Sequence, residues 1–349
     1  MQDEKNGGSE TPAAANTIET GVSTLVVGPE ESGKTLEALV RGLLGVAWGR
    51  ARELVRSGRV EVNGRRIDDS AVRLDEGSTI EVREQGRRIP RLALLREEVA
   101  YLDDDVIVVH KAAGALTVPT EEGERDTVVD RVRAYLRSIG KSDDEVGIVH
   151  RLDRDTSGLL VFTRTFAAKR MLTEQFNQHT VEREYLAIVH GQAESKTIES
   201  MLIRDRGDGL RGSFAKMFPN ARGKVADRGT PPPQDAQRAL THVTVVSQLK
   251  DVTLVRCRLE TGRQHQIRIH MSEDGHALLG ETVYIRDHRG KRLAAARLML
   301  HAAILGVDLP STNDGEPRRL RIMSRPPDDF MGTFARFGGK RKVIEDLLK

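Results

Sequence analysis

The chain has 349 residues, of which 31% are charged and only 4% aromatic, so its core must be built from aliphatic side chains. No stretch reaches the roughly 18 apolar residues that a membrane-spanning helix needs. Residues 1–20 lack the basic and apolar regions of a signal peptide, so we expect a cytoplasmic protein. The single cysteine, Cys257, excludes an intrachain disulfide and a cysteine-cluster metal site, and we expect it in the core. At roughly 150 residues per domain, the length predicts about two domains.

Charge is unevenly distributed along the chain, although the formal net charge is only +3. Residues 1–31 contain six acidic residues and one lysine, whereas residues 41–66 contain seven arginines and two glutamates. A folded unit with this excess of arginine attracts polyanions, because phosphate contacts release counterions. The pattern therefore indicates a polyanionic partner, and a well-solvated helix surface is the alternative explanation.

The first part of the sequence predicts a disordered acidic tail at residues 1–22 and a compact unit at residues 23–84. Apolar periodicity and alternation give the elements of this unit. Asn63-Gly64 is typical of a tight hairpin turn, and Gly58 of a left-handed helix end. The predicted elements are a strand at 23–27, helices at 35–44 and 49–57, and strands at 60–62 and 79–82.

Residues 28–35, GPEESGKT, match the phosphate-loop pattern of nucleoside-triphosphate hydrolases. Glu30 and Glu31 would repel a triphosphate, and Pro29 removes a backbone donor. No βαβ unit follows, because the chain continues into two helices and a hairpin. We therefore predict that no nucleoside triphosphate binds here.

The rest of the sequence predicts a basic linker at residues 85–96, a larger domain at 97–335 and a short tail at 336–349 that is first basic and then helical. Strands outnumber helices at irregular intervals, which favours an α+β sheet domain over a doubly wound fold. The main predicted features are a strand at 101–111 that begins with an acidic turn, an amphipathic helix at 128–138 and a long basic loop at 204–235.

Four short motifs in the larger domain carry the candidate chemistry. Residues 150–162, HRLDRDTSGLLVF, place two carboxylates, two guanidiniums and an imidazole directly before an apolar strand. From charge alone, a solvated, salt-bridged turn is the favoured interpretation of this run. The other three motifs are REYLAIVHG at 183–191, LETGRQHQIRIH at 259–270 and RLMLHA at 297–302.

Alternation predicts that the second and third motifs are strands. In the second, Tyr185 would share a face with the alanine and valine that follow it at every other position. In the third, Gln266 and Arg268 would share a polar face. His265 and His270, five residues apart, would then lie on opposite faces, so we predict no metal site.

These four motifs, in this order, resemble those of the RluA/RluD-like family of RNA pseudouridine synthases. Residues 58–64, GRVEVNG, with the preceding helices resemble the S4 RNA-binding domain. The resemblance implies an α+β chain: a small S4-type α/β domain, then a larger catalytic domain with a mixed, mainly antiparallel β-sheet and flanking helices. It also implies isomerisation of uridine in structured RNA without a metal or other cofactor. Large-subunit rRNA is the favoured substrate. The alternatives are tRNA modification and a catalytically silent RNA-binding or ribosome-assembly protein.

The resemblance also assigns roles to individual residues. Asp153 becomes the nucleophile, Tyr185 stacks on the target base, and Arg268 pairs with Asp153. Asp155 is assigned to bracing the loop. The remaining assignments are RNA contacts for Arg151, His150, Arg263, Arg50, Arg52 and Arg56, and structural support for Leu300, Ala302 and Ile267. For Arg151 a simple pairing with a neighbouring acid is equally favoured, and for His150 a packed, hydrogen-bonded position is the stronger alternative.

Overall fold

The computed structural model describes residues 17–19, 22–67, 69–84, 93–119, 126–216, 231–310 and 317–348. The chain divides into two compact units, residues 1–92 and 93–349. Most of the predicted linker (85–92) and the middle of the predicted basic loop (217–230) lie outside the described residues, as do residues 1–16 of the predicted tail.

The first unit is a five-stranded antiparallel sheet with two helices. Its strand order is β1-β2-β5-β3-β4. Leu36, Leu54 and Ile80 are fully buried between the helices and the sheet. The elements are β1 (Thr17–Glu19), β2 (Val22–Val26), α1 (Leu36–Leu44), α2 (Trp48–Arg56), β3 (Val60–Val62), β4 (Arg65–Arg66) and β5 (Thr79–Val82).

Local sequence signals in this unit are confirmed. Asn63 and Gly64 have φ values of 50° and 72°, as a tight hairpin turn between β3 and β4 requires, and Gly58 has a φ of 70° after α2. The phosphate-loop match forms the turn between β2 and α1, and its neighbouring strand pairs only in an antiparallel sense. The predicted tail extended too far, because residues 17–19 pair with β2.

The second unit is an 11-stranded sheet with five helices among its described residues. Its strands are β6 (Val99–Leu102), β7 (Val106–Lys111), β8 (Gly147–Ile148), β9 (Ser157–Thr163), β10 (Glu182–His190), β11 (Lys196–Ile203), β12 (Gly212–Ser213), β13 (Gln237–Gln248), β14 (Val252–Leu259), β15 (Leu300–Leu309) and β16 (Arg318–Met323). Its helices are α3 (Val128–Ser138), α4 (Phe166–Asn177), α5 (Gln266–Glu273), α6 (Asp328–Arg336) and α7 (Arg341–Leu347).

The main path of this sheet runs β12-β11-β13-β14-β10-β15-β9-β7-β6, with β16 on β15 and β8 on β9. Only the pairing of β9 with β15 is parallel among the described strands. The predicted mixed, mainly antiparallel sheet with flanking helices is therefore confirmed, and so is the helix at 128–138.

Both faces of the sheet are buried. On β10, Tyr185 and Ala187 pack with α3 and α5, whereas Leu186 and Ile188 pack with α6 and α7. Cys257 on β14 is fully buried, as predicted for a core residue.

The structure differs from the predicted end of the catalytic domain. Residues 341–347 are helical, but Ile344 is fully buried against Phe330 and Phe334 of α6. The segment is basic in composition, and for that reason its one apolar face was not recognised in the sequence. Apolar packing continues beyond the predicted boundary at residue 336.

Candidate active site

The loop between β8 and β9 carries Asp153 and is held mainly by its backbone. Lys111 Nζ donates to the carbonyl of Arg154 at 2.8 Å. Thr117 Oγ1 donates to the carbonyl of Leu152 at 3.0 Å and accepts from its amide at 3.2 Å. Burial lowers the pKa of Lys111 to about 7. These bonds fix the loop path and leave the Asp153 carboxylate free to face outward from it.

The bracing role predicted for Asp155 is not what the structure shows. Its side chain is 56% exposed and lies 3.9 Å from Arg154 Nε. Lys111 and Thr117, which are distant in sequence, perform that task instead. The two-residue spacing between Asp153 and Asp155 gives no indication that Lys111 and Thr117 hold this loop.

Gly158 allows β9 to begin directly after this loop. Its φ is 120°, and an added Cβ would lie 2.2 Å from the carbonyl oxygen of Ala302. Ala302 is the residue that pairs with Gly158 in the parallel contact between β15 and β9. The Ser-Gly pair in the motif therefore reflects a close approach of two backbones beneath the candidate site.

Asp153 lies in a cleft of about 370 Å³ between its loop, β10 and α5. This volume falls within the roughly 300–1,000 Å³ usual for ligand pockets. Asp153 is the only carboxylate among the described lining residues. Four arginines also line the cleft: Arg151, Arg183, Arg263 and Arg268. Four guanidiniums and one carboxylate give the cleft an excess of positive charge, which suits a polyanionic substrate.

Arg268 lies close to Asp153, but Glu281 is its principal partner. Arg268 Nε and Nη2 donate to the two oxygens of Glu281 at 2.7 and 2.8 Å. The third nitrogen, Nη1, lies 3.6 Å from Asp153 Oδ2. The bidentate pair fixes the plane of the guanidinium, so its remaining edge points at Asp153.

Glu281 was missed in the sequence because it belongs to none of the four motifs. Its side chain is fully buried. Burial by itself would raise the pKa of Glu281, but bonds from Arg268 and from the amides of Val283 and Tyr284 lower it below its ordinary value. One sequence signal could have identified Glu281: it is an acidic residue in an otherwise apolar stretch, three positions before Tyr284.

His265 and Tyr284 complete the wall beside Asp153. His265 Nδ1 is 2.8 Å from the Tyr284 hydroxyl, and its Nε2 is 3.9 Å from Asp153 Oδ1. Burial is the main cause that lowers the pKa of His265. Burial also raises the pKa of Tyr284 to about 12, so its hydroxyl keeps its proton at neutral pH.

The third motif is a helix rather than the predicted strand. β14 ends at Leu259, and α5 begins after His265, which has a left-handed φ of 59°. Gln266 caps the turn by accepting from Thr261 Oγ1 at 2.8 Å and from Arg263 N at 3.0 Å. Alternation over a few residues does not distinguish the two periods, because Ile267 also has the i+4 apolar partner of a helix.

The reason given for rejecting a metal at His265 and His270 therefore fails, because neither residue is on a strand. They hydrogen-bond to different groups instead: His270 lies 2.9 Å from both Thr241 Oγ1 and Ser200 Oγ. Among the described residues no group of three or more His, Cys, Asp or Glu side chains could hold a metal ion.

Tyr185 lies on β10 in the cleft wall. It is 9% exposed and pairs across the sheet with Cys257 and Ala302. Burial raises the pKa of its phenol, which is therefore protonated at neutral pH. The residues predicted to support the site lie around it: Leu300 lines the cleft, and Ala302 and Ile267 pack in the same apolar cluster as Tyr185.

The three residues predicted to contact RNA near the cleft all line it: Arg151, Arg263 and His150. His150 is also used in packing. Arg151 is exposed and has no acidic partner among the described residues. His150 Nε2 accepts from the amide of Val161 at 3.1 Å, and its ring stacks on Phe176 at 4.7 Å. Burial lowers the pKa of His150 to about 3, so it is neutral.

The three arginines predicted to bind RNA in the first unit lie along α2. Arg50 pairs with Glu53 at 2.9 Å and Arg52 with Glu37 at 2.8 Å. Arg56 is exposed. A phosphate contact by Arg50 or Arg52 would have to compete with these surface pairs, which are worth only about 0–1 kcal/mol.

Comparison with known proteins shows the class of enzyme to which this fold belongs. A family model for RNA pseudouridylate synthase matches residues 105–273, and one for the S4 domain matches residues 44–80. The human protein titled RNA Pseudouridylate Synthase Domain Containing 4 shares the fold, with a TM-score of 0.54 and 21% identity over 69% of this chain and 92% of that chain.

Several curated proteins are similar in sequence. Ribosomal large subunit pseudouridine synthase D of Zymomonas mobilis is 36% identical over 60% of this chain and 64% of its own length, just under two thirds of that relative. The uncharacterized RNA pseudouridine synthase YlyB of Bacillus subtilis is 31% identical over 76% and 84%, respectively. Ribosomal large subunit pseudouridine synthase C of Escherichia coli is 30% identical over 88% and 94%.

The chain belongs to the RNA pseudouridine synthase family, whose members are isomerases, and its catalytic domain follows an S4 domain. None of the helices described is long and apolar enough to cross a membrane.

Proposed function

We propose that this protein converts specific uridines of large-subunit rRNA to pseudouridine, with Asp153 as the nucleophile. The observation that carries the proposal is the position of Asp153 as the single described carboxylate in an arginine-lined cleft, beside Arg268 and Tyr185. An ionised carboxylate held close to a ribose or a base is a competent nucleophile.

The reaction requires the N1–C1′ bond of the uridine to break and a C5–C1′ bond to form. The hydrogen on C5 leaves as a proton, and N1 gains one, so the reaction is an isomerisation without a redox step. Asp153 forms the transient bond to the nucleotide, and Arg268 holds its carboxylate in position. The protonated phenol of Tyr185 offers a ring for stacking on the base, worth about 1–3 kcal/mol.

A uridine within a stem or loop must leave its stack to reach Asp153, which costs a few kcal/mol. The exposed side chain of Arg151 lies at the cleft two residues before Asp153. A guanidinium there can fill the space that the base vacates or pair with a phosphate, and either contact offsets part of this cost.

The rRNA substrate is favoured over tRNA because two of the similar proteins are named as ribosomal large subunit synthases. An S4 domain with seven arginines between residues 41 and 66 suits a large structured RNA. The proposed rRNA substrate also implies that the protein acts in the cytoplasm, because rRNA is available there.

The test is tritium release from [5-³H]uridine-labelled transcripts of large-subunit rRNA and tRNA, without nucleotide or metal. Asp153→Asn should lower the rate on the order of 10⁴–10⁶-fold, the scale of removing an enzyme nucleophile, while RNA affinity is retained. Asp155→Asn is the matched control, because Asp155 is exposed and two residues away. It should keep the wild-type rate.

Each alternative gives a different result. Release from tRNA alone would reassign the substrate. Binding without release from either RNA would indicate a silent RNA-binding or ribosome-assembly protein. Release that survives in Asp153→Asn would remove Asp153 as the nucleophile.

A further inference from the structure

Arg183 is a buried arginine in the cleft that the proposed chemistry leaves without a task. It lies two residues before Tyr185 on β10, so both side chains point to the same face of the strand. It is only 7% exposed, yet it lines the same cleft as Asp153.

No carboxylate in the described part of the chain forms an ion pair with Arg183. Its Nη2 donates to the backbone carbonyl of Glu260 at 3.1 Å, and its guanidinium lies 5.5 Å from the ring centre of Phe176. Its Nε is buried without a hydrogen-bond partner. Buried charges are normally paired, so a guanidinium in this state lacks an anion.

Arg263 adds positive charge near Arg183, and both Arg263 and His179 line the cleft. Burial and repulsion from Arg263 and Arg183 lower the pKa of His179 below its ordinary value, so its imidazole is neutral at neutral pH. Burial lowers the pKa of Arg183, and repulsion from Arg263 lowers it further. The sequence also makes room for the guanidinium, because a Cβ at Gly262 would lie 2.4 Å from Arg183 Nη1. The glycine in the Thr-Gly-Arg turn therefore leaves room for the Arg183 guanidinium in its present position.

We propose that Arg183, with Arg263 and His179 at its edge, forms an anion subsite for one phosphodiester of the RNA strand that enters the cleft. The proposal rests on the proposed function, because it places this phosphate next to the nucleotide that Asp153 attacks. A phosphodiester supplies an acceptor oxygen to the part of the Arg183 guanidinium that lines the cleft. Tyr185 would then hold the base of the nucleotide and Arg183 the RNA backbone, and both residues belong to β10.

The experiment is phosphate-ethylation interference, which neutralises one phosphate at a time along a large-subunit rRNA transcript. Binding is measured for the wild type, Arg183→Gln and Arg137→Gln. Arg137 is the matched control because it is an exposed arginine on α3, paired with Asp143 and outside the cleft. The uridine that the wild type modifies is located separately by mapping the product.

In the wild type, ethylation of one phosphate adjacent to the modified uridine should weaken binding about 10-fold or more, as for a hydrogen bond to a charged group. Interference at that phosphate should disappear in Arg183→Gln and persist in Arg137→Gln. The slope of log affinity against log salt should also fall by about 1 only in Arg183→Gln.

Identical interference patterns in the three proteins would overturn the subsite and leave Arg183 as a brace for the Glu260 carbonyl. If Arg183→Gln does not fold, the wild-type pattern still decides: no interference at either phosphate flanking the modified uridine refutes the proposal. Failure of the proposed function is distinguishable, since it is read from tritium release and not from binding.

Discussion

At the residue scale, the site depends on a chain of contacts that starts at Asp153 and ends at a buried carboxylate outside the motifs. Arg268 reaches Asp153 with one nitrogen only because Glu281 holds the other two. Glu281 also accepts from the amides of residues 282–284, so one side chain orients the arginine and fixes the following turn. Glu281 is therefore a positioning residue.

We predict that Glu281→Gln destabilises the catalytic unit by about 3–5 kcal/mol, because it leaves the buried Arg268 without its counter-charge. Urea unfolding measures this loss, and Glu194→Gln, which removes an exposed charge, is the control. The kcat of tritium release by the folded fraction should also fall, because the guanidinium of Arg268 is no longer held in a fixed plane facing Asp153.

The pH dependence gives a second readout of the same variant. The pKa of Glu281 is lowered in the folded state. Its contribution to folding stability is therefore complete above the unfolded-state pKa of about 4.3, and this contribution is lost as pH falls through the folded-state pKa. The stability difference between wild type and Glu281→Gln should therefore shrink as pH falls below about 4.3. A constant difference down to pH 3 would contradict the assignment.

At the element scale, the loop before β9 is shaped by strand pairing more than by its own charges. β9 begins at Ser157 in parallel contact with β15, and Gly158 makes that contact possible. This explains why residues 150–162 contain a glycine, Gly158, followed by an apolar run, a pattern that charge alone does not account for.

We predict that Gly158→Ala destabilises the catalytic unit by about 1–3 kcal/mol or more, because its φ is 120° and the new Cβ meets the backbone of Ala302. Gly332→Ala in α6 is the matched control. Nothing lies within 4 Å of its added Cβ, and it should stabilise the unit by about 0.5–1 kcal/mol. Urea midpoints that move together for the two variants would refute the close-approach explanation.

At the scale of the whole molecule, two buried histidines, His270 and His301, and the half-buried His150 make the catalytic unit sensitive to mild acid. Burial lowers the pKa of His150 and of His301 to about 3, and that of His270 to about 4. Each is neutral when folded, but it binds a proton when unfolded below its ordinary value near 6.5.

We predict that stability falls from about pH 6.5 downward, by about 1.4 kcal/mol per pH unit for each fully effective histidine. The sign follows from the lowered folded pKa: the unfolded chain binds more protons, so stability rises with pH in this window. Urea unfolding of His270→Gln at pH 7, 6 and 5 should show a shallower decline than wild type. Parallel curves would exclude His270 from the effect.

Much of the fold could be predicted from sequence because its signals are local. The tight turn at Asn63-Gly64, the amphipathic helix at residues 128–138 and the apolar strand β10 depend on neighbouring residues only. Prediction failed where distant contacts decide. α5 was taken for a strand, and α7 was left out of the core because Ile344 is its only fully buried residue.

The sequence by itself determined the family, the two-domain order and the candidate nucleophile, because these follow from motifs that are contiguous in the chain. Only the tertiary structure showed that Arg268 is oriented by Glu281 and that Lys111 holds the Asp153 loop. It also showed that Arg183 lies buried with no acidic partner among the residues that the structure describes. The physical reason is that charge pairing and desolvation depend on distance in space. A sheet brings together residues separated by tens of positions, and sequence spacing does not record that approach.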